Sequence, residues 1–513
     1  AYWYYIYDAA GTKPTTATGK TSSVFNEGYT GWYANGAGVG TQTFSIDNIS
    51  IRAESVVGRT NIQLEEEFPA IVSGFTNFLE NPDYSVIGVE WDTTATSPVL
   101  KRINENGEEI PAPNFDNHII FGNIWRCTYD PATNTLTYGS NARGDGLVLN
   151  DQTKPVLVRY PKFYVKSERV GTKHRWFISP VPKAGYTVHP QFNMRGFGTA
   201  SEIFKGAYES CGYLDGSTFK LGSASGKQPV TGKVAYPDLP NSGRFTIDDA
   251  EAYANNIASG FGITSFWGSC ADQLLMYIEY GTFDIQSALG KGIVDLPTGS
   301  GFAGKLTGAD NIDARLAENG TGTGDGVDGL TPVCWRGIEN PYGNTWKFVI
   351  GANVDQDGTY RLIRRDGLGT LAGTLAEGAY ESGTGLPTTD GYISGLLHGD
   401  LEEFAFLPSA ASGSSSTYLA DRWTACTANG NILVAGGSWR QALAAGPGCH
   451  SVYGGPVFSD QNVCARVEFR PHIQPSVVTT ATTYPTTMVD ASRVYDKPIH
   501  RGAMLETYHD GTQ

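Results

Sequence analysis

Sixty-four glycines are spread along the 513 residues, and only two stretches between them keep the spacing of an amphipathic helix. That distribution is the strongest constraint on the fold. Glycine weakens helix interiors and supplies the positive φ that tight turns need, so the rest of the chain must be short strands joined by turns and loops. The architecture this predicts is mainly β, with an α+β portion in the C-terminal half. Hydrophobic residues make up 40% and aromatics 12%, enough to build cores, so a disordered chain is excluded. At roughly 100 to 200 residues per domain, the length predicts two to four domains.

A formal charge of −15 with no clustered Lys or Arg argues against nucleic-acid binding, which needs basic patches to neutralise phosphates. No run of about 18 apolar residues exists to cross a bilayer as a helix. The opening AYWYYIYDAAG lacks the basic start and apolar core of a signal peptide, and is read as the start of a processed or trimmed product. Seven cysteines, Cys127, Cys211, Cys270, Cys334, Cys426, Cys449 and Cys464, are dispersed without a C-x-x-C pair. They are expected as small buried hydrophobes, with a Cys449 to Cys464 bridge as the alternative.

Four regions follow from the pattern. Residues 1–55 read as all-β, opening on Tyr2, Trp3, Tyr5 and Tyr7 and ending on the alternating run FSIDNISIRAE. That ending resembles the last strand of carbohydrate-binding jelly rolls, which implies a jelly-roll fragment or small sandwich. Residues 56–150 form a β-rich connector. Within it NIQLEEEF (61–68) is a brief helix or edge strand, Ser85 to Trp91 a strand, and Asn104 to Gly107 a hairpin turn. Residues 151–472 are the largest unit. Pro155 to Val165 is expected as one strand with an edge or bulge at its internal proline, and Arg175 to Ser179 as its partner. One helix starts at Thr246 with Asp249 as its capping box and stops at Gly260, and a second covers about Ser269 to Tyr280. Residues 473–513 are a Thr-rich tail, expected to lie along a neighbouring subunit or to be partly ordered.

Four ordered segments carry a further resemblance. They are Ala207-Tyr208-Glu209; Ser265-Phe266-Trp267 leading into Leu274 to Gly281 and Gln286 to Gly292; Trp335 to Val349; and Tyr418 to Asp421 with Val434 to Arg440 and Ala465 to Arg470. Together, over residues 85–472, they resemble the C-type-lectin-type domain shared by formylglycine-generating enzymes, variable proteins of diversity-generating retroelements, and phage tropism determinants. The segment from Gly88 to Cys127 also looks like the stretch preceding the C-terminal domain of tail-tip proteins of gut phages and prophages. Within that resemblance Trp346, Gly436, Gly437 and Trp439 are fold-defining: an aromatic flanked by glycines plugs a core.

Between Trp439 and the strand Ala465 to Phe469 lies a stretch, 440–463, of about 24 residues with no regular pattern. A loop this long inside a compact domain is usually functional. In relatives diversified by retroelements the ligand-contacting side chains sit here, which implies Arg440, Gln441, His450, Ser451, Tyr453, Phe458, Ser459, Gln461 and Asn462 as contact residues. Exposed aromatics would supply contact area and amides adaptable hydrogen bonds. In the competing reading Trp439, Tyr453 and Phe458 pack the loop onto its own domain.

Catalysis is the rival within the same resemblance. A formylglycine-generating enzyme needs a close reactive cysteine pair, and sulfoxide-forming relatives bind iron through a histidine cluster. Cys449 and Cys464 stand 15 positions apart and His450 stands alone, so no enzyme, metal or cofactor is expected. Asp355 to Gly358 reads as a hairpin turn, since it lacks the remaining ligands of a calcium loop. Gly322 to Gly329 reads as a surface loop, and Glu65-Glu66-Glu67 and Glu402-Glu403 as solvated charge runs. The resulting expectation is an extracellular virion protein, a phage tail fibre or tail-tip subunit that binds a host-surface protein or glycan without turnover. Its expected partners are other virion subunits, as a homo-oligomer and by analogy with fibres a trimer, with no nucleic acid and no membrane insertion. A structural virion component using the same surface for subunit contacts is the alternative.

Overall fold

The computed structural model describes residues 86–193, 199–232, 239–240, 243–297, 305–308, 319–322, 328–363, 380–428 and 430–471, and the backbone of three short strands outside them. The chain divides into two units, residues 1–81 with 489–513, and residues 82–488. In the first, Tyr2–Tyr4 pairs antiparallel with Gly19–Thr21. The jelly-roll-like ending, the run 61–68 with its glutamates, and residues 323–327 of the acidic glycine-rich stretch lie outside the described residues.

The large unit is mainly β, as the glycine distribution demands, and holds three substantial sheets. The first has five strands in the order β8 (Thr187–Val188), β6 (Tyr164–Val170), β7 (Lys173–Ser179), β1 (Ile87–Asp92), β2 (Lys101–Asn104). The second has seven: β10 (Phe261–Ile263), β19 (Val467–Phe469), β9 (Glu202–Gly206), β5 (Val156–Pro161), β3 (Trp125–Asp130), β4 (Thr135–Tyr138), β20 (Ser476–Thr479). The third has eight. Its main path is β13 (Tyr380–Gly383), β12 (Tyr360–Ile363), β11 (Trp346–Val354), β16 (Asn431–Ala435), β17 (His450–Ser451), β15 (Arg422–Thr424), β14 (Gly391–Tyr392), and β18 (Val463–Cys464) lies parallel to β11.

The predicted hairpins are present. Gly107 N–H donates to Asn104 O at 2.9 Å, and Gly358 N–H to Asp355 O at 3.0 Å between β11 and β12. Several boundaries differ from the sequence reading. There is no break at residue 150: β1 pairs with β7, and β3 with β5, so the expected connector is woven into two sheets of the large unit. The single strand predicted over 155–165 is two. The chain leaves the second sheet at Pro161, which has no N–H to continue the ladder, and enters the first sheet at Tyr164. Within the Thr-rich tail Ser476–Thr479 forms β20, paired in parallel with β4 of the same chain.

Helix α1 (Ile247–Asn255) carries the predicted capping box, Thr246 Oγ1 accepting from Asp249 N–H and Asp249 accepting from Thr246 N–H. Ile247, Ala250, Tyr253 and Ala254 form its buried face. Helix α2 (Phe266–Tyr280) starts a turn earlier than its apolar periodicity indicates, capped by Ser265 and closed by Gly281 at φ 65°. A glycine in that first turn obscured it; a Cβ on Gly268 would come 2.4 Å from Glu468 Oε2 and push that carboxylate aside. A short α3 (Ile285–Leu289) follows, capped by Asp284.

Two large cores result. One packs Ile87, Val89 and Trp176 of the first sheet against Leu274, Leu275 and Ile278 of α2, closed over by Phe404 and Phe406. The other places α1 among the second and third sheets, with Phe204, Phe469, Trp346, Phe348 and Val434.

Candidate functional site

Residues of the four motif segments meet in buried polar clusters. Glu209, fully buried, accepts from Thr345 N–H at 3.2 Å, Thr345 Oγ1 at 2.6 Å and Asn344 Nδ2, and pairs with Lys347 Nζ at 3.0 Å. Lys347 also donates to Gly343 O at 2.6 Å, and burial pulls its ammonium below the usual lysine range. Glu279 of α2 accepts from Trp335 Nε1 at 2.7 Å and from Arg336 Nη2 at 2.6 Å, and Arg336 reaches on to Asp116 at 3.1 Å. Arg466 donates to the carbonyls of Gly206, Glu339 and Asn340 at 2.6–3.0 Å. Each charge taken out of water thus has compensating partners, the condition under which buried ions persist.

On this base sits the Gly436-Gly437-Ser438-Trp439 turn. Both glycines have positive φ, 90° and 75°, and a Cβ on Gly437 would meet Ala445 at 2.7 Å. Trp439 N–H donates to Asn344 O at 3.0 Å, and the indole is buried with Ile293 and Leu296. Trp346 is buried in the second core.

The stretch 440–463 is not one structureless loop. Its middle, His450–Ser451, is strand β17, antiparallel to β16 and parallel to β15, and its end is β18 against β11. Because His450 pairs with Ala435 and the chain then runs toward Asn431, the stretch is threaded along β16 and splits in two. The halves emerge at opposite ends of that five-residue strand, about 13 Å apart at 3.3 Å per residue.

The nine expected contact residues therefore fall into three groups. Arg440 is exposed, its guanidinium 5.4 Å from the Trp439 ring centre, while Gln441 is half-buried and accepts from Ser438 N–H and Oγ. His450 and Ser451 are buried, at 1% and 8% exposure, and do not belong to an exposed surface. A strand two residues long has no period by which to announce itself. His450 Nε2 lies 3.4 Å from Gln273 Nε2, and burial pushes the imidazole down to about 4, so it is neutral at physiological pH.

The third group, Tyr453 to Asn462, wraps back over the sheet. Phe458 packs on the second core, Ser459 Oγ accepts from Phe245 N–H at 3.0 Å, and Asn462 O accepts from Trp346 N–H at 2.8 Å. Gln461 is half-buried beside Asp460, whose Oδ1 accepts its N–H.

One element of this group projects. Asn431 Nδ2 donates to Val452 O and Tyr453 O, Ile432 N–H to Gly454 O, and Phe458 N–H to Gly455 O, fixing a turn over 453–458. Gly454 lets the Phe458 ring close against the turn, since a Cβ there would lie 2.4 Å from the ring. From this anchored turn Tyr453 and Val457 stand out at 61% and 71% exposure. Val457 escaped the sequence reading; an apolar β-branched residue inside a Gly-Gly-Pro turn was its signal.

The cysteines of the rival reading are buried and unbridged, as are the other five. Burial pushes the Cys449 thiol well above its ordinary range and that of Cys464 up to about 12, so neither is a thiolate at neutral pH. Among the described residues no three His, Cys, Asp or Glu side chains gather to hold a metal ion, and no helix is long and apolar enough to cross a membrane.

A second feature the sequence does not reveal is the burial of the motif residue Asp421. Its carboxylate is 3% exposed, with Gly448 N–H donating to Oδ2 at 2.7 Å, and the Gly446 and Gly448 backbone closes directly over it. Burial, reinforced by Asp284, raises its pKa well above the ordinary range.

No family model and no curated protein sequence matches the chain. Solved structures to which it is similar include two described as Major Tropism Determinant I1 Variant and U1 Variant. Identities are 13% and 12%, the TM-score is 0.23 for each, and the match covers 74% of this chain and 84% of each of the others. Likeness at this level gives no residue-by-residue correspondence.

Proposed function

We propose that this chain is a non-enzymatic recognition subunit of a phage particle, a tail-fibre or tail-tip protein that binds a host-surface protein or glycan through the 453–458 turn. The observation that carries the proposal is the pairing of exposure with anchorage. Tyr453 and Val457 are presented to solvent from a turn whose backbone and Phe458 are locked to the sheet. A preorganised aromatic contact loses little entropy on binding, which suits recognition better than a mobile loop would. The phage setting and the C-type-lectin-type assignment rest on the ordered motifs read in the sequence, several of which the buried clusters tie together.

Arg440 and Leu443, at the other end of β16, belong to a separate exposed patch and are not part of this contact. Several copies in a homo-oligomer, a trimer by analogy with fibres, would multiply a weak single contact through avidity. Electron microscopy of particles labelled with an antibody to this chain tests the setting. Label at the distal tip of the tail is the expected result; label on a repeated capsid or shaft lattice would replace the receptor role with a structural one.

A further inference from the structure

Between α2 and the root of the 436–450 segment lies a cavity of about 40 Å³, with Gln273 and Met276 on the helix side, Lys347 on β11 below, and Gly436 and Pro447 above. Ser269 and Asp272, both half-buried, form its mouth. We propose that this cavity is a built water-binding site and that the Gln273 amide is the group that holds the water.

Gln273 is buried in the wall of this cavity. The side chain is 1% exposed, its Nε2 faces His450 Nε2 at 3.4 Å, and its Oε1 has no hydrogen-bond partner among the described residues. The two ends of an amide are interchangeable in assignment, but in either assignment one end faces His450 and the other, an acceptor oxygen or a donor NH2, lacks a protein partner. A buried amide oxygen without a donor costs about 1–3 kcal/mol, so native proteins satisfy such atoms, with water where protein cannot reach.

Room and chemistry both fit. A water needs roughly 10–15 Å³ measured in this way, so 40 Å³ holds about three. The walls offer the two to four polar partners each water requires. Asp272 accepts from Lys205 Nζ at 2.7 Å and keeps acceptor capacity for a water at the mouth, and Ser269 supplies a hydroxyl beside it. At the floor Lys347 has a third ammonium hydrogen beyond its contacts with Gly343 and Glu209.

The test is a crystal structure of the full chain at a resolution that shows ordered water, for the wild type and for Gln273→Met, which keeps the side-chain length and removes the hydrogen bonds. The expected result is two or three waters in the wild-type cavity, one within hydrogen-bond distance of the Gln273 amide, and loss of that water in the variant. If Gln273→Met does not fold, Gln273→Asn, which retracts the amide, should displace the same water. A dry wild-type cavity, an amide bonded at both ends to protein groups, or an unchanged set of waters in the variants would overturn the proposal. None of these outcomes depends on whether the 453–458 turn binds a receptor.

Discussion

Glu279→Ala is expected to lower the stability of the large unit by about 3–5 kcal/mol, read as a fall in the denaturant midpoint with little change in slope. The carboxylate is the acceptor for Trp335 Nε1 and for the Arg336 guanidinium, whose side chain is 2% exposed. Removing it leaves both donors inside the protein, and Asp116, half exposed, is too weak a substitute for the buried charge. Glu279→Gln retains one acceptor oxygen and should cost less. A loss below about 1 kcal/mol for the alanine variant would show that this cluster does not secure α2 to the 335–347 segment.

Asp421→Asn should stabilise the protein, and increasingly so as pH rises. A carboxyl whose folded pKa is raised keeps its proton in the native state while the unfolded chain releases it above about pH 4. Native stability from the neutral form is therefore fully present below that value and is lost as pH climbs toward the folded pKa. Asparagine keeps an acceptor for Gly448 N–H and has no proton to lose. Its advantage over the wild type should grow by about 1.4 kcal/mol per pH unit through this window. Chemical denaturation of both proteins from pH 4 to 8 checks this, and a constant difference at every pH would mean that Asp421 is already ionised in the folded state.

Much of this arrangement could be read before the structure. Thr246 and Asp249 announced α1 because capping is a local code, and Asn-Gly and Asp-Gly turns announced hairpins for the same reason. The ordered motifs also pointed to residues that share an interior, since Glu209, Asn344, Thr345 and Lys347 now prove to be one hydrogen-bonded group.

What escaped was non-local. His450–Ser451 is a strand only because β16 and β15 stand on either side of it, 15 and 26 or more positions earlier in the chain, and two residues carry no period of their own. Reading 440–463 as one loop followed from that gap. It placed two buried residues on a display surface and passed over Val457. Asp421 escaped likewise, because nothing in Leu-Ala-Asp-Arg tells a buried acid from a solvated one.

Recognition through the 453–458 turn makes Tyr453→Ala combined with Val457→Ala the decisive substitution. Both side chains are mostly exposed and the turn is fixed by other groups, so the double variant should fold with unchanged thermal stability. Equilibrium binding of the purified double variant to cells that bind the wild-type protein is expected to fall at least tenfold, with Arg440→Ala binding as the wild type does. Unchanged binding by a folded double variant would contradict recognition through this turn.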